Sequence, residues 1–295
     1  ILAHVDAGKT TVTEHILYLA GAIRSVGNVD KGTSLSDTMD VEKRRGISVR
    51  ATTVTFEWEG VQVNLIDTPG HVDFAAEVER SLRVLDCAIL VVSAVEGIQA
   101  HTETIWAALK ALEIPVILFV NKVDRMGSDM AAVVEDARAR FSPDIVQLNQ
   151  PVDEGNTEAS IRELEGETLK ETAERIAAKD DSLLERYLDE ETLEWSDLAP
   201  VLTNAVPQRE LFPVLCGVAK NNIGVEALLY GVITYFADTQ GEGGDPVSGV
   251  VFHLEHDSKL GRIAGVRLFA GRLENRDTVT NATAEREEKV TQIKR

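Results

Sequence analysis

Residues 1–17 read ILAHVDAGKTTVTEHIL, and this stretch decides the fold. An apolar start runs into a loop of small residues, and a pattern of helical period follows. From Ala3 to Thr10 the spacing is small-x-x-x-x-Gly-Lys-Thr, a phosphate-binding loop between a strand and a helix. Such a loop curls its backbone N–H groups around an anion, and the positive end of the next helix faces the same charge. The backbone of Asp6, Ala7, Gly8, Lys9, Thr10 and Thr11 is the predicted phosphate cradle. Gly8 permits close approach, Lys9 reaches the outer phosphates, and Thr10 offers a hydroxyl to Mg²⁺. Ala3 stands where the first glycine is usual, and its methyl group is small enough to be accommodated.

The chain of 295 residues carries 44% hydrophobic and 27% charged side chains, a soluble globular composition long enough for one large domain or two. No apolar run reaches the roughly 18 residues that span a bilayer, so no membrane partner is expected. Cys87 and Cys216 sit in apolar surroundings and read as buried thiols of a reducing compartment, not as a disulfide or metal site. The formal net charge of −19 argues against a general grip on nucleic acid, DNA included, since phosphate contacts need Lys and Arg. Much of the acid is local: residues 153–197 hold 16 acidic against 5 basic side chains. These read as solvated helix faces, with a docking surface for a basic partner as the alternative. The opening directly on the loop and the ending in KVTQIKR read as a fragment of a longer protein.

Apolar runs alternate with helical patterns over 1–238. VTFEWEG and VQVNLID predict a hairpin around Gly60. CAILVVSA (87–94), PVILFVNK (115–122) and LFPVLCGVA (211–219) are near-continuous apolar runs, as in strands covered on both faces. Helical patterns occupy 72–85, 101–113, 129–141 and 223–237. The predicted fold class is α/β, a doubly wound, mainly parallel sheet. Residues 142–205 break the alternation and predict an acidic helical insertion at the sheet edge. A linker is expected at 239–246, rich in Gly and acid. Residues 247–295 read as strands with turn signals, the start of a β-barrel.

Two further motifs choose the nucleotide. DTPGH (67–71) follows the apolar run Val63–Ile66. An aspartate at a buried strand end can hold Mg²⁺ through water, and Gly70 can offer its N–H to a γ-phosphate. NKVD (121–124) ends a later strand. The Asp124 carboxylate can accept two hydrogen bonds from guanine, a donor pair adenine lacks, so it selects GTP and GDP over adenine nucleotides. Asn121 can bond the other guanine edge, and the Lys122 stem can lie along the base. SDTMDVEKRRGISVRATT (36–53) suits a loop over the phosphates, with Ser48 as a second hydroxyl for Mg²⁺.

Together LAHVDAGKTT (2–11), VDKGTSLSD (29–37), IDTPGHVDF (66–74), NKVD (121–124) and AKNNIG (219–224) resemble translational GTPases of the elongation factor G group. Within that group they are most similar to the tetracycline-resistance ribosomal protection proteins. The resemblance implies a P-loop GTPase domain, hydrolysis of GTP to GDP and phosphate, stimulation by the 70S ribosome, and a cytoplasmic location, with the fragment a monomer. It implies that His71 orients the attacking water and that Val5 and Ile47 form the apolar pair beside it. It links Asp6 to a monovalent cation, and it makes residues 217–220, among them Val218, Ala219 and Lys220, the last guanine-contacting loop. Ser48 replaces the usual threonine but keeps the hydroxyl. Val218 replaces a common serine, leaving the Ala219 N–H to reach the base. Translocation, or a nucleotide-dependent binding module with weak hydrolysis, stands as the alternative; a P-loop kinase would need an acceptor site and a lid, and would not need NKxD.

Overall fold

The opening apolar residues are extended and buried: β1 (Leu2–Ala3) leads through the loop to α1 (Lys9–Leu19). The computed structural model describes residues 1–27, 51–70, 75–237, 246–257 and 261–293. β2 (Thr52–Trp58) and β3 (Val61–Asp67) form the antiparallel hairpin expected at Gly60, whose φ of 78° is the left-handed conformation a tight turn demands. α2 (Ala75–Leu82), β4 (Ala88–Ser93), α3 (Ala100–Ala111), β5 (Val116–Asn121) and α4 (Met130–Arg140) then alternate. Each helix falls within or close to the range its sequence period predicts. β6 (Ile145–Gln147), β7 (Gln150–Val152), β8 (Ser160–Arg162), α5 (Gly166–Ala177), α6 (Asp181–Leu188) and α7 (Trp195–Ala205) follow. β9 (Phe212–Gly217), a 3₁₀ turn at Ala219–Asn221 and α8 (Val225–Phe236) complete this unit.

Five strands form the central sheet in the order β1-β4-β5-β9-β6, every neighbouring pair parallel. β3 lies beside β1, since Thr68 donates its N–H to the Ile1 carbonyl at 3.4 Å and its Oγ1 to the same oxygen at 2.9 Å. Every residue of β4 and β5 is buried, because helices cover both faces. The period of two divides the core. Ile89, Val91, Ile117 and Phe119 pack with Val12 and Ile16 of α1 and with apolar residues of α5, α7 and α8. Leu90, Val92, Leu118 and Val120 pack with Val78 of α2, Ile105, Trp106 and Leu109 of α3 and Val133 of α4. Full burial of one side chain the size of Phe119 contributes about 1.5–3 kcal/mol. This is the expected doubly wound class, and its strand ends deliver the functional loops to one edge of the sheet.

The stretch 142–205 differs from its sequence reading. Ile145–Gln147 is a strand of the central sheet, paired in parallel with β9, and β7–β8 is a small hairpin. Only the later part, α5 to α7, is helical. The short apolar run Ile145–Val146, followed by polar residues, is too brief for its period to identify a strand; pairing with β9 buries it. The acid is largely solvated, as expected, and several basic residues are held inside the segment. Arg186 bridges Glu191 and Asp197 at 2.9 and 3.0 Å, and Lys179 reaches Asp144 at 2.7 Å.

The chain divides into two compact units, residues 1–237 and 238–295. The expected linker lies outside the described residues except at its last position, Pro246. In the second unit, β10 (Ser248–Asp257) and β11 (Gly261–Ala270) form one antiparallel ribbon, and β12 (Thr278–Asn281) and β13 (Arg286–Lys289) another. Among the described residues no helix is long and apolar enough to cross a membrane.

Candidate functional site: a nucleotide cradle at the ends of three strands

The loop after β1 has the geometry that a phosphate cradle needs. Gly8 caps α1 with φ 91° and ψ 25°, and Asp6 has φ 65°. Gly8 contributes no side-chain hydrogen bond to the helix start, and no acidic side chain occupies the first turn of α1. The backbone amides there carry the positive end of the helix dipole, and no acidic side chain of the first turn offsets it. A Cβ at Gly8 would run into Asn121 Nδ2, so glycine is required here by conformation and by space. Val5 and Asp6 are exposed on the loop, Ala7 and Lys9 are buried, and Thr10 and Thr11 are half-buried.

β3 carries the second motif to this loop. Asp67 is buried at its end, and its Oδ1 accepts a hydrogen bond from Lys9 Nζ in a buried ion pair. Gly70 lies against the loop: a Cβ there would sit 3.6 Å from the Ala3 carbonyl oxygen and 3.9 Å from Lys9 Cε. Thus the aspartate and the glycine of DTPGH are brought to Lys9 from far along the chain. His71, Ile47 and Ser48 lie outside the described residues.

β5 carries the third motif. Asn121 is buried, donates from Nδ2 to the Ala7 carbonyl at 2.9 Å and accepts at Oδ1 from the Ala219 N–H at 3.0 Å. One carboxamide therefore ties the phosphate loop to the loop after β9. The sequence reading aimed the Ala219 N–H at a base; in the structure that N–H braces Asn121. Val218 is buried in the core, and Lys220 is exposed. Lys122 holds φ 69° and runs past Gly8, with its Cε 4.0 Å from where a Gly8 Cβ would stand. Its Nζ lies 3.7 Å from Glu96 Oε1. Asp124 is half-buried beyond it.

Two participants were not singled out in the sequence. Glu96, in the turn after β4, pairs with Lys122, and no local pattern marks it. His4, inside the loop itself, is 4% exposed, with neither ring nitrogen hydrogen-bonded. Burial holds its pKa below the ordinary histidine value, against the pull of Glu96 and Asp6. Its place within the phosphate-loop motif was the available signal.

The donor set fits Mg²⁺. Asp67 Oδ2 is buried with no hydrogen-bond partner, an orphaned carboxylate oxygen next to Lys9, and Thr10 follows Lys9 with a hydroxyl. Hard oxygen donors few in number suit an ion that shares its shell with phosphate and water. Among the described residues no group of three His, Cys, Asp or Glu side chains forms a metal site of its own. Cys216 is buried and Cys87 partly so, both are unpaired, and burial pushes both thiols up to about 12.

Comparison with known proteins agrees with this geometry. Residues 1–238 match the family model described as the elongation factor Tu GTP binding domain. The chain is 42% identical over its whole length to the tetracycline resistance protein TetP of Clostridium perfringens, covering 46% of that protein. It is 43% identical to TetW of Butyrivibrio fibrisolvens, over 97% of this chain and 44% of that protein. The chain thus spans about half the length of the curated relatives it matches. The crystal structure of ttk003000868 from Thermus thermophilus superposes with a TM-score of 0.83 at 30% identity, over 98% of this chain and 47% of that one. Loop, strand ends and family model coincide, and the chain belongs to the elongation factor Tu GTP-binding domain family.

Proposed function

We propose that this chain binds GTP and hydrolyses it to GDP and phosphate as part of a longer cytoplasmic protein that acts on the ribosome and protects it from tetracycline. The observation that carries the nucleotide reading is the meeting of three motifs at one loop: Asn121 on Ala7, and Asp67 on Lys9. The names of the relatives, tetracycline resistance proteins at 41–43% identity, support the ribosomal-protection reading. With only 43–46% of those proteins covered, the activity of the whole is part of the proposal.

The phosphates would lie over the amides of residues 6–11, facing the dipole of α1, with Lys9 as their counter-charge. Thr10, Ser48 and Asp67 would hold Mg²⁺, which neutralises charge developing on the β- and γ-phosphate oxygens. Asp6 would contribute to a monovalent-cation site. Gly70, which lies close to Lys9, would offer its N–H to the γ-phosphate. Asp124 would take the two guanine donors, with Asn121, braced by the Ala219 N–H, fixing the loops around the base and Lys122 and Lys220 completing that pocket. His71, next to Gly70, would orient the attacking water, with Val5 and Ile47 beside it. Catalysis of this type is mainly positioning and electrostatic stabilisation, so a docking partner that holds His71 raises the rate without new chemistry.

The test is multiple-turnover GTP hydrolysis by the full-length protein with and without 70S ribosomes, with His71→Ala alongside. Ribosomes should stimulate the wild type strongly, and His71→Ala should lose about 100-fold or more of that rate while still binding GTP, the scale of a lost catalytic group. Restoration of translation in the presence of tetracycline, by the wild type only, completes the reading. Stimulation without such protection would leave translocation as the function.

A further inference from the structure

Beyond the motifs, a buried carboxamide lies where the central sheet runs out. β6 ends at Gln147, whereas its neighbour β9 continues to Gly217. The last ladder bond of that pair runs from the Leu148 N–H to the Val214 carbonyl at 2.9 Å. Cys216 comes next on the same side of β9. Its N–H donates to Asn149 Oδ1 at 2.7 Å, and its carbonyl accepts from Asn149 Nδ2 at 3.2 Å. A primary amide carries a carbonyl acceptor and N–H donors in one plane, so it can meet the N–H and the C=O of one strand residue together. The Asn149 side chain therefore supplies the rung that β6 lacks.

Asn149 is itself held in place. Its carbonyl accepts from Gln147 Nε2 at 2.8 Å, and the Gln147 carbonyl accepts from Thr172 Oγ1 of α5 at 3.1 Å. All three side chains are buried, so none of these bonds competes with bulk water. On the other side of Cys216 the chain has little slack. A Cβ on Gly217 would lie 2.9 Å from the Phe119 ring, and two residues on, the Ala219 N–H meets Asn121. Removing the Asn149 amide would leave a buried N–H and C=O of β9 unpaired, immediately before residues 217–220 leave the sheet.

We propose that Asn149 is a positioning residue for guanine recognition: its amide fixes the end of β9, and through it the loop 217–220 on the side of Asn121 away from Ala7. This rests on the guanine-nucleotide reading of the site. The change should appear in binding of the base and spare the phosphate cradle, which is built on α1.

The experiment compares wild type, Asn149→Ala and Thr172→Val, with unfolding midpoints recorded for each. Dissociation constants are measured for GDP and ADP, and for inorganic pyrophosphate by competition. Asn149→Ala is expected to weaken GDP about tenfold and narrow the GDP-over-ADP preference, with pyrophosphate unchanged. Thr172→Val, nearly isosteric and two bonds further back, is expected to weaken GDP about two- to threefold. A folded Asn149→Ala with wild-type GDP affinity overturns the assignment, as does an equal loss for GDP and pyrophosphate, which is general destabilisation. If Asn149→Ala does not fold, Thr172→Val decides: unchanged GDP affinity overturns the assignment, and a selective loss supports it. A wild type with no preference for GDP over ADP overturns the guanine reading itself, and the role of Asn149 with it.

Discussion

Asn121 donates to the carbonyl of Ala7 at 2.9 Å, joining two residues 114 positions apart in the chain. The Asn121 amide nitrogen occupies the space that a side chain at position 8 would need. Gly8→Ala is therefore expected to lose on two counts. A left-handed alanine costs about 1–2 kcal/mol, and its methyl group displaces the carboxamide that holds the loop. GDP affinity should fall by at least about tenfold, or roughly 1.4 kcal/mol. Titration with a fluorescent GDP analogue measures it, and an unchanged affinity would contradict the close approach described.

Lys9→Ala removes a cation facing several phosphate charges and leaves Asp67, which is buried, without its ion-pair partner. Nucleotide affinity should fall at least about tenfold. The ligand-free protein should also unfold at lower denaturant, because an uncompensated buried carboxylate is costly. Adding Asp67→Asn to Lys9→Ala should recover part of the stability and none of the affinity. Urea unfolding and GDP titration of the three variants separate the two effects.

Asp124→Asn exchanges a double acceptor for a group with one acceptor and one donor pair. Preference should move from guanine to xanthine nucleotides, whose edge offers the complementary pattern. Dissociation constants for GDP and XDP on wild type and variant check this. A variant that still prefers GDP would remove Asp124 from base recognition.

His4 predicts a pH dependence of stability. Its folded pKa is lowered, chiefly by burial, while the unfolded chain titrates near the ordinary value of 6.5. Below that value the unfolded state binds more protons than the folded one, so stability falls as pH drops through about 6.5. His15, also lowered mainly by burial, adds to the same slope. His4→Asn should show a shallower loss between pH 7.5 and 5.5 than the wild type. Urea midpoints across that range test it, and identical slopes would remove His4 from the acid sensitivity.

By itself the sequence determined the elements that local chemistry specifies. Gly8-Lys9-Thr10 at a strand-to-helix change, the apolar runs of β4 and β5 and the period of α3, α4 and α8 need no distant partner to be read. The first part of the stretch 142–205, read as helical, holds strands instead, because a three-residue strand such as β6 carries no period of its own and exists only by pairing with β9. The same holds within the site. Asp67, Asn121 and Asp124 were legible as types of group at strand ends, because buried parallel strands deliver their ends to one edge. The tertiary structure alone decided what those groups touch: Asn121 as a bracket between Ala7 and Ala219, Lys9 on Asp67, Glu96 on Lys122, and Asn149 completing the edge of β9. The physical reason is that most buried polar groups pair with whatever partner packing brings within about 3 Å, and packing joins residues whose separation along the chain leaves no mark in the sequence.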